Sequence, residues 1–331
     1  MTYDFSTLNG PVTQKDVEAY RARFVKKMTT ITKVIIGFLI AVAIMILGAI
    51  VLSTAMYGPD ITTMVWLGIF ALIAVGIASG NVIRRKRLTR LLAFATANNI
   101  QLVADYANPA YPGIIFSQGH SRSILEAFVF ANGFEVGNYT YSTGSGKQRR
   151  TYNWSYMRVK LVRRLPHMLL DARKNNMFNS SVSNLPISLT KDQAMRLEGN
   201  FNDYFTLYAP KGYEADALYV FTPDVMAALV DFGASHDIEV IDDDLIFYQR
   251  GSIDLTKEAS LRGALTILDN VSSEIIDQGD YYADARVGNR AANVIAAPGQ
   301  RLRSRVSIVT VIITVLFIAY FVWSFFIGFT R

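Results

Sequence analysis

Residues 34–52, 64–82 and 306–329 are apolar runs of 19, 19 and 24 residues, and none contains a charged side chain. A helix rises about 1.5 Å per residue and the hydrocarbon core of a bilayer is about 30 Å thick, so about 20 apolar residues are enough to cross it. Each run is therefore expected to form a transmembrane helix. The third is the most apolar. Sixteen of its residues are Val, Ile, Leu or Phe, each favouring insertion by about 0.3–0.6 kcal/mol at the centre of a span.

The flanks of the runs predict an orientation. Arg21, Arg23, Lys26, Lys27 and Lys33 precede the first run, Arg84, Arg85, Lys86, Arg87 and Arg90 follow the second, and Arg301, Arg303 and Arg305 precede the third. The connector at 53–63 carries one charge, Asp60, beside Gly58-Pro59. Basic flanks stay on the cytoplasmic side. The expectation is a multi-pass protein of the inner membrane, with a cytoplasmic soluble domain and the C-terminus outside. Tyr57, Trp66, Tyr320 and Trp323 would then lie toward the outer interface. About thirty mostly polar residues before the first run argue for a signal anchor rather than a cleaved leader. Lys26, Lys27, Lys33, Arg84, Arg85, Lys86, Arg87, Arg301, Arg303 and Arg305 are the candidate headgroup and topology residues. Gly37 with Ala41 and Gly76 with Gly80 are small-xxx-small pairs that suit close helix packing, within the hairpin or between copies.

The net charge of +6 and pI of about 9.3 suggest nucleic acid at first sight. The placement of the charge argues against that partner. Residues 91–300 hold 18 Lys+Arg against 23 Asp+Glu, so the central segment is net −5. Within it, residues 122–174 carry ten basic and three acidic side chains, and residues 175–300 carry eight basic and nineteen acidic. The chain has no cysteine, which removes disulfides, thiolate metal sites and thiol catalysis.

Thr13 and Asp16 form a capping-box pattern ahead of Val17, Tyr20, Phe24, Val25 and Met28, which recur at helical spacing. A helix is expected after Arg84, ending near Asn98-Asn99, then a Pro-, Tyr- and Gly-rich loop at 108–113. Strands are expected at 124–130, 134–141 and 152–162, the last two joined by a Gly/Ser turn at 142–147, with a further strand at 168–170. Residues 204–208 and 217–221 read as strands. Thr222-Pro223-Asp224 starts a helix, with Thr as N-cap and Pro at the first position. Residues 238–241 and 245–248 read as a hairpin across Asp242–Asp244, and 255–278 as a long helix. The fold expected is α+β: three transmembrane helices, an N-terminal hairpin plus a C-terminal span, flanking a mostly antiparallel sheet with helices. The segments are 1–33 with an amphipathic helix, 34–83 as the hairpin, 84–280 as the cytosolic domain, 281–305 as a basic linker and 306–329 as the last span.

No motif specifies a reaction. Gly144-Ser145-Gly146-Lys147 lacks the distal Gly and the Ser/Thr of a phosphate loop, having Tyr141 and Gln148 there, and it joins two strands. His120, His167 and His236 are far apart and show no ligand spacing. A metal site combining them with Glu239 and Asp242–Asp244 has nothing in the sequence to support it. No cofactor is expected.

The stretch Leu197-Glu198-Gly199-Asn200-Phe201-Asn202-Asp203-Tyr204-Phe205-Thr206-Leu207-Tyr208-Ala209-Pro210 continues with Gly212-Tyr213-Glu214, Ala217-Leu218-Tyr219, Thr222-Pro223-Asp224 and Met226. Together with Gly137-Asn138-Tyr139 it resembles a family of bacterial integral membrane proteins of the actinobacterial and candidate-phylum type, with no assigned activity. The resemblance covers roughly residues 130–250. It implies an N-terminal span pair and a cytosolic domain, and it transfers no catalytic residue. The leading expectation is a membrane-anchored binding or scaffold module. Its partners would be membrane lipids and a protein partner or a homo-oligomer, with no nucleic acid. The alternative is a membrane-bound enzyme working through Glu198, Asp203 and Asp224. A concave pocket holding two or more carboxylates about 5–9 Å apart would favour it.

Overall fold

The computed structural model describes residues 3–24, 38, 41, 44–46, 48–50, 52–56, 58, 61–176, 183–289, 291–304 and 317. Their contacts divide the chain into two compact units. One is Met1–Asn99 with Thr256–Glu258; the other is Ile100–Leu255 with Ala259–Arg331.

The first unit contains helices α1 (Ser6–Asn9), α2 (Gln14–Phe24) and α3 (Ile61–Ala97). The Thr13/Asp16 cap forms as the sequence predicts. Thr13 donates from both its backbone N–H and its hydroxyl to Asp16 Oδ2, at 2.8 and 2.6 Å, and Asp16 N–H returns a bond to Thr13 Oγ1 at 3.3 Å. No residue of α2 is buried. The last turns of α3 bury Leu88, Leu91, Leu92, Phe94 and Ala95, with the Phe94 ring 5.4 Å from that of Phe5.

The three expected transmembrane helices are corrected here. Among the described residues no helix is long and apolar enough to cross a membrane. The run at 64–82 lies within α3, which continues through Arg84, Arg85, Lys86, Arg87 and Arg90 and packs its far end on α1. Hydropathy along a run, read without the helix that carries it, overstated the run as an independent span. The runs at 34–52 and 306–329 lie outside the described residues apart from 38, 41, 44–46, 48–50, 52 and 317. The placement as a multi-pass inner-membrane protein, with a cytoplasmic domain and an outer C-terminus, falls with the spans. What stands of the expected fold is an α+β architecture with an antiparallel sheet.

That sheet is in the second unit. Its strands are β1 (Gln101–Ala107), β2 (His120–Val129), β3 (Phe134–Thr143), β4 (Arg150–Ala172), β5 (Ala194–Met195), β6 (Phe205–Tyr208) and β7 (Asp237–Arg250). The order is β1-β2-β3-β4-β6-β5, with β7 along the other edge of β4. Every pairing is antiparallel. Helices α4 (Phe201–Tyr204), α5 (Glu214–Val220), α6 (Pro223–Ala228), α7 (Glu258–Ile267) and α8 (Ser273–Gly279) fall late in the chain. As predicted, Thr222 caps α6 by accepting from Val225 N–H, with Pro223 at the helix start. A π turn at Leu268–Ser272 joins α7 to α8 in place of the continuous α-helix expected.

Two expectations fail locally. Residues 217–221 lie mostly in helix α5, where Glu214 and Asp216 occupy the first turn and favour its positive end, and Ala217 and Val220 bury one side. The expected hairpin at 238–248 is one unbroken strand, β7. Its bend is Asp242, held at φ +56° opposite a register shift in β4 between Lys160 and Leu165. An Asp tolerates that left-handed conformation better than most residues.

Register explains which side chains meet. Glu135 stands opposite Arg158, Gly137 opposite Tyr156, Tyr156 opposite Tyr248, and Lys160 opposite Asp244. Directly opposed residues share a face. The shifts near Leu165 then change the parity, so that His167 and Leu169 continue the face begun by Tyr156 and Arg158. The sequence reads this as the wetter face, but it is roofed by Ile114, Ile115 and Phe116 from the loop after β1, all buried.

Candidate functional site

The roof exists because of its turn residues. Asn108 sits at φ +48° and Gly113 at φ +114°, between Pro109 and Pro112. A Cβ on Gly113 would stand 3.1 Å from Ile246 Cδ1 and 3.2 Å from Glu239 Oε2. This close approach brings Ile114 N–H to Glu239 Oε2 at 2.8 Å and places Tyr111 over the sheet.

Beneath Tyr111 lies a first polar network. Glu135 accepts from the Tyr111 hydroxyl at 3.0 Å on both oxygens, from the Tyr156 hydroxyl at 2.5 Å and from Arg158 Nη1 at 3.3 Å. Arg158 Nε donates to Asp244 Oδ1 at 2.6 Å, and its guanidinium lies 4.2 Å from the Tyr111 ring centroid. Lys160 Nζ reaches Asp244 Oδ2 at 3.1 Å and Asp243 Oδ1 at 3.0 Å. Burial, then the charge of Glu135, raise the Tyr111 and Tyr156 hydroxyls far above their ordinary range. Burial works against the Arg158 charge, but Asp244 and Glu135 outweigh it and its pKa is raised. Both tyrosines are therefore donors at any ordinary pH.

A second network adjoins it. Glu239 is fully buried and accepts three donors: Ile114 N–H, the Tyr248 hydroxyl, and His167 Nε2 at 2.7 Å. Burial, then the charge of Glu239, push the Tyr248 hydroxyl well up. His167 Nδ1 accepts from Leu302 N–H at 3.0 Å. The strap that carries Leu302 is tied again at Arg303, whose N–H donates to Gln193 Oε1 and whose carbonyl accepts from Gln193 Nε2, both at 2.8 Å. Arg301 forms a bidentate pair with Asp242 at 3.1 and 2.8 Å.

Above the first network opens a cleft of about 510 Å³, with Tyr111, Phe116, Arg122, Lys160, Arg164 and Asp243 among its lining residues. Its rim mixes both signs of charge over aromatic rings. A second cavity of about 390 Å³ lies on the other face, where Met157 and Gln249 face Gly263 and Ile267 of α7. His236, just before β7, and Arg250, at its end, line the same cavity, which the bend at Asp242 makes possible. Burial holds the His236 imidazole down to about 4. Among the described residues no group of three or more His, Cys, Asp or Glu is placed to hold a metal ion.

The residues singled out by sequence are scattered. Lys26, Lys27, Lys33, Gly37 and Arg305 lie outside the described residues. Arg84 and Lys86 are exposed on α3, Arg85 and Arg87 half-buried, and Arg85 sits 6.0 Å from the Tyr20 ring centroid. Ala41, Gly76 and Gly80 are exposed, and a Cβ on either glycine would meet open space. Arg301 reaches the cleft through Asp242. Arg303 is held by its backbone. Glu198, Asp203 and Asp224 are exposed and line neither cavity. His167 and Glu239, named together as improbable metal ligands, do meet, as a hydrogen-bonded pair. Sequence reasoning missed Tyr111, Glu135, Tyr156, Arg158 and Tyr248. The available signal was an acid and a base, Glu135 and Arg158, each inside an expected strand.

Comparison of the chain with models of protein families, with curated proteins and with solved structures finds no match. The reading of the cleft therefore rests on its own geometry.

Proposed function

We propose that the α+β unit is a binding module rather than an enzyme, and that it holds a short polar segment of a protein partner in the cleft beside Tyr111. One observation carries this reading: the ionisable groups of the cleft floor already satisfy one another. His167 uses both ring nitrogens, Glu239 takes three donors, and Glu135 takes Tyr111, Tyr156 and Arg158. General acid–base work needs a group within reach of substrate and able to exchange a proton. A floor so engaged is suited to rigidity. The rim offers Arg122, Arg164 and Lys160 on one side of the charge balance and Asp243 on the other, a pattern that suits a partner segment bearing both signs.

The test is a photo-crosslinking amino acid placed at Ser117, which lines the cleft and is exposed, with a second placement at exposed Glu274 as control. A discrete protein adduct from position 117 alone, lost with Arg164→Glu, is the expected result. An adduct of twice the chain mass identifies a second copy as the partner. Equal labelling from both positions, or none from 117, overturns the proposal.

A further inference from the structure

Beyond the cleft, the far end of β4 and β7 holds four buried oxygen atoms with no hydrogen-bond donor. They are Asp171 Oδ1, Asp237 Oδ2, Asn175 Oδ1 and Asn184 Oδ1. We propose that they form the protein part of a binding site for a hard divalent cation, with Ca²⁺ the best fit.

The strands place the acids. Leu169 pairs with Glu239 and Leu170 with Ile238, so the ladder continued by one residue sets Asp171 opposite Asp237 on one face. Two carboxylates in that relation repel each other unless something positive lies between them. Asp171, Asn184 and Asp237 are 5%, 7% and 0% exposed, so bulk water does not screen them. The two amides close on the acids from the turn after β4: the side chains of Asn175 and Asn184 lie near enough to act on the Asp237 carboxyl.

The donors nearby are engaged elsewhere. Asn175 Nδ2 donates to Ser235 O at 3.4 Å, and Asn184 Nδ2 to Asn175 O at 3.3 Å. Ala172 N–H serves Asp237 Oδ1 at 2.9 Å and leaves Oδ2 unpaired. A proton shared by the two carboxyls would satisfy Asp171 and Asp237 and leave both amide oxygens unpaired. A cation serves all four. The donor set is oxygen only, doubly negative and rich in amide carbonyls, which is Ca²⁺ chemistry; Mg²⁺ keeps more of its water, and softer metals prefer nitrogen or sulfur.

Tb³⁺ reports on such sites by emission sensitised from nearby tyrosine, and both Tyr208 and Tyr248 lie within electrostatic reach of Asp171. The full chain, stripped with EDTA, is titrated with Tb³⁺ and then with Ca²⁺. The expected result is saturable emission at one ion per chain, displaced by Ca²⁺, with Tm higher in Ca²⁺ than in EDTA. Asp171→Asn and Asp237→Asn should each weaken binding by about 10-fold or more. Asn184→Ala, which keeps both carboxylates and tests the site if either acid variant fails to fold, should weaken it as well. The proposal is overturned if the wild type shows no saturable emission and equal Tm in Ca²⁺, Mg²⁺ and EDTA, or if Asn184→Ala binds unchanged. It is also overturned if emission survives in the Asp171→Asn/Asp237→Asn double variant.

Discussion

His167 Nε2 lies 2.7 Å from Glu239 Oε1, while His167 Nδ1 accepts from Leu302 N–H at 3.0 Å. The second contact settles the first: Nδ1 is the acceptor, so Nε2 carries the proton that Glu239 receives. One imidazole thereby links β4, β7 and the strap at 300–304.

Removing that link should be expensive. His167→Ala leaves a fully buried carboxylate short of one donor and frees Leu302 N–H. Loss of one partner from a buried charged network costs about 3–5 kcal/mol. Urea unfolding of the full chain should show that loss, with faster amide exchange at Leu302 than at Ile114. A change below about 1 kcal/mol would mean that water replaces the imidazole without penalty.

Asp242 gives a prediction of opposite character. Its φ of +56° is a conformation glycine adopts freely, and its ion pair with Arg301 is worth little because the Arg301 side chain is 56% exposed. Asp242→Gly should change stability by less than about 1 kcal/mol. Asp242→Val should cost about 1–2 kcal/mol through backbone strain. Thermal unfolding of both variants checks the order, and a Val variant as stable as Gly would contradict the bend at this residue.

The same residue shows where sequence reasoning ran out. Asp242-Asp243-Asp244 reads as a turn because three adjacent acids are poor strand formers. They belong to a strand because Asp244 lies opposite Lys160 and bonds Arg158, partners distant in sequence. Residues 217–221 are β-formers pulled into a helix by the acids before them. The apolar runs were read for length and charge, without the helices and tertiary partners that decide their role. Local chemistry was readable: the Thr13 and Thr222 caps, the Gly144–Lys147 hairpin tip and the strand at 152–162 all lie where their residues place them. The cleft was not, because it depends on register between strands and on a loop folding back over a face that alternation marks as wet.

Gly137 makes that register physical. A Cβ there would stand 2.5 Å from Ala127 Cβ, 2.9 Å from Glu126 O and 3.0 Å from Tyr156 Cε1. Two of these neighbours are sheet backbone or a Cβ fixed to it, so they cannot yield easily. Gly137→Ala should destabilise by about 1–3 kcal/mol. It should also displace the Tyr156 ring from Glu135, seen as a changed near-ultraviolet circular dichroism signal. Full retention of both stability and signal would sink this account of the face.

His236 supplies a pH test whose sign can be worked out in advance. Its imidazole is ordinarily near 6.5 and burial lowers it to about 4 in the folded chain. The folded state therefore keeps His236 neutral, while the unfolded chain takes up a proton as pH falls below about 6.5. This contribution is complete above that value, is lost as pH falls through the interval, and levels off below about 4. One pKa unit corresponds to about 1.4 kcal/mol, so the loss is of order 1–3 kcal/mol. Neighbouring Asp237 tilts the interval the other way, since burial pushes its carboxyl from 3.8 up to about 8 and its stabilisation fades as pH rises. The comparison that isolates His236 is wild type against His236→Gln, by urea unfolding in EDTA between pH 7.5 and pH 4.5. The difference in stability should shift in favour of the Gln variant as pH falls. A difference that stays constant across the range would show that His236 titrates alike in both states and is not desolvated in its cavity.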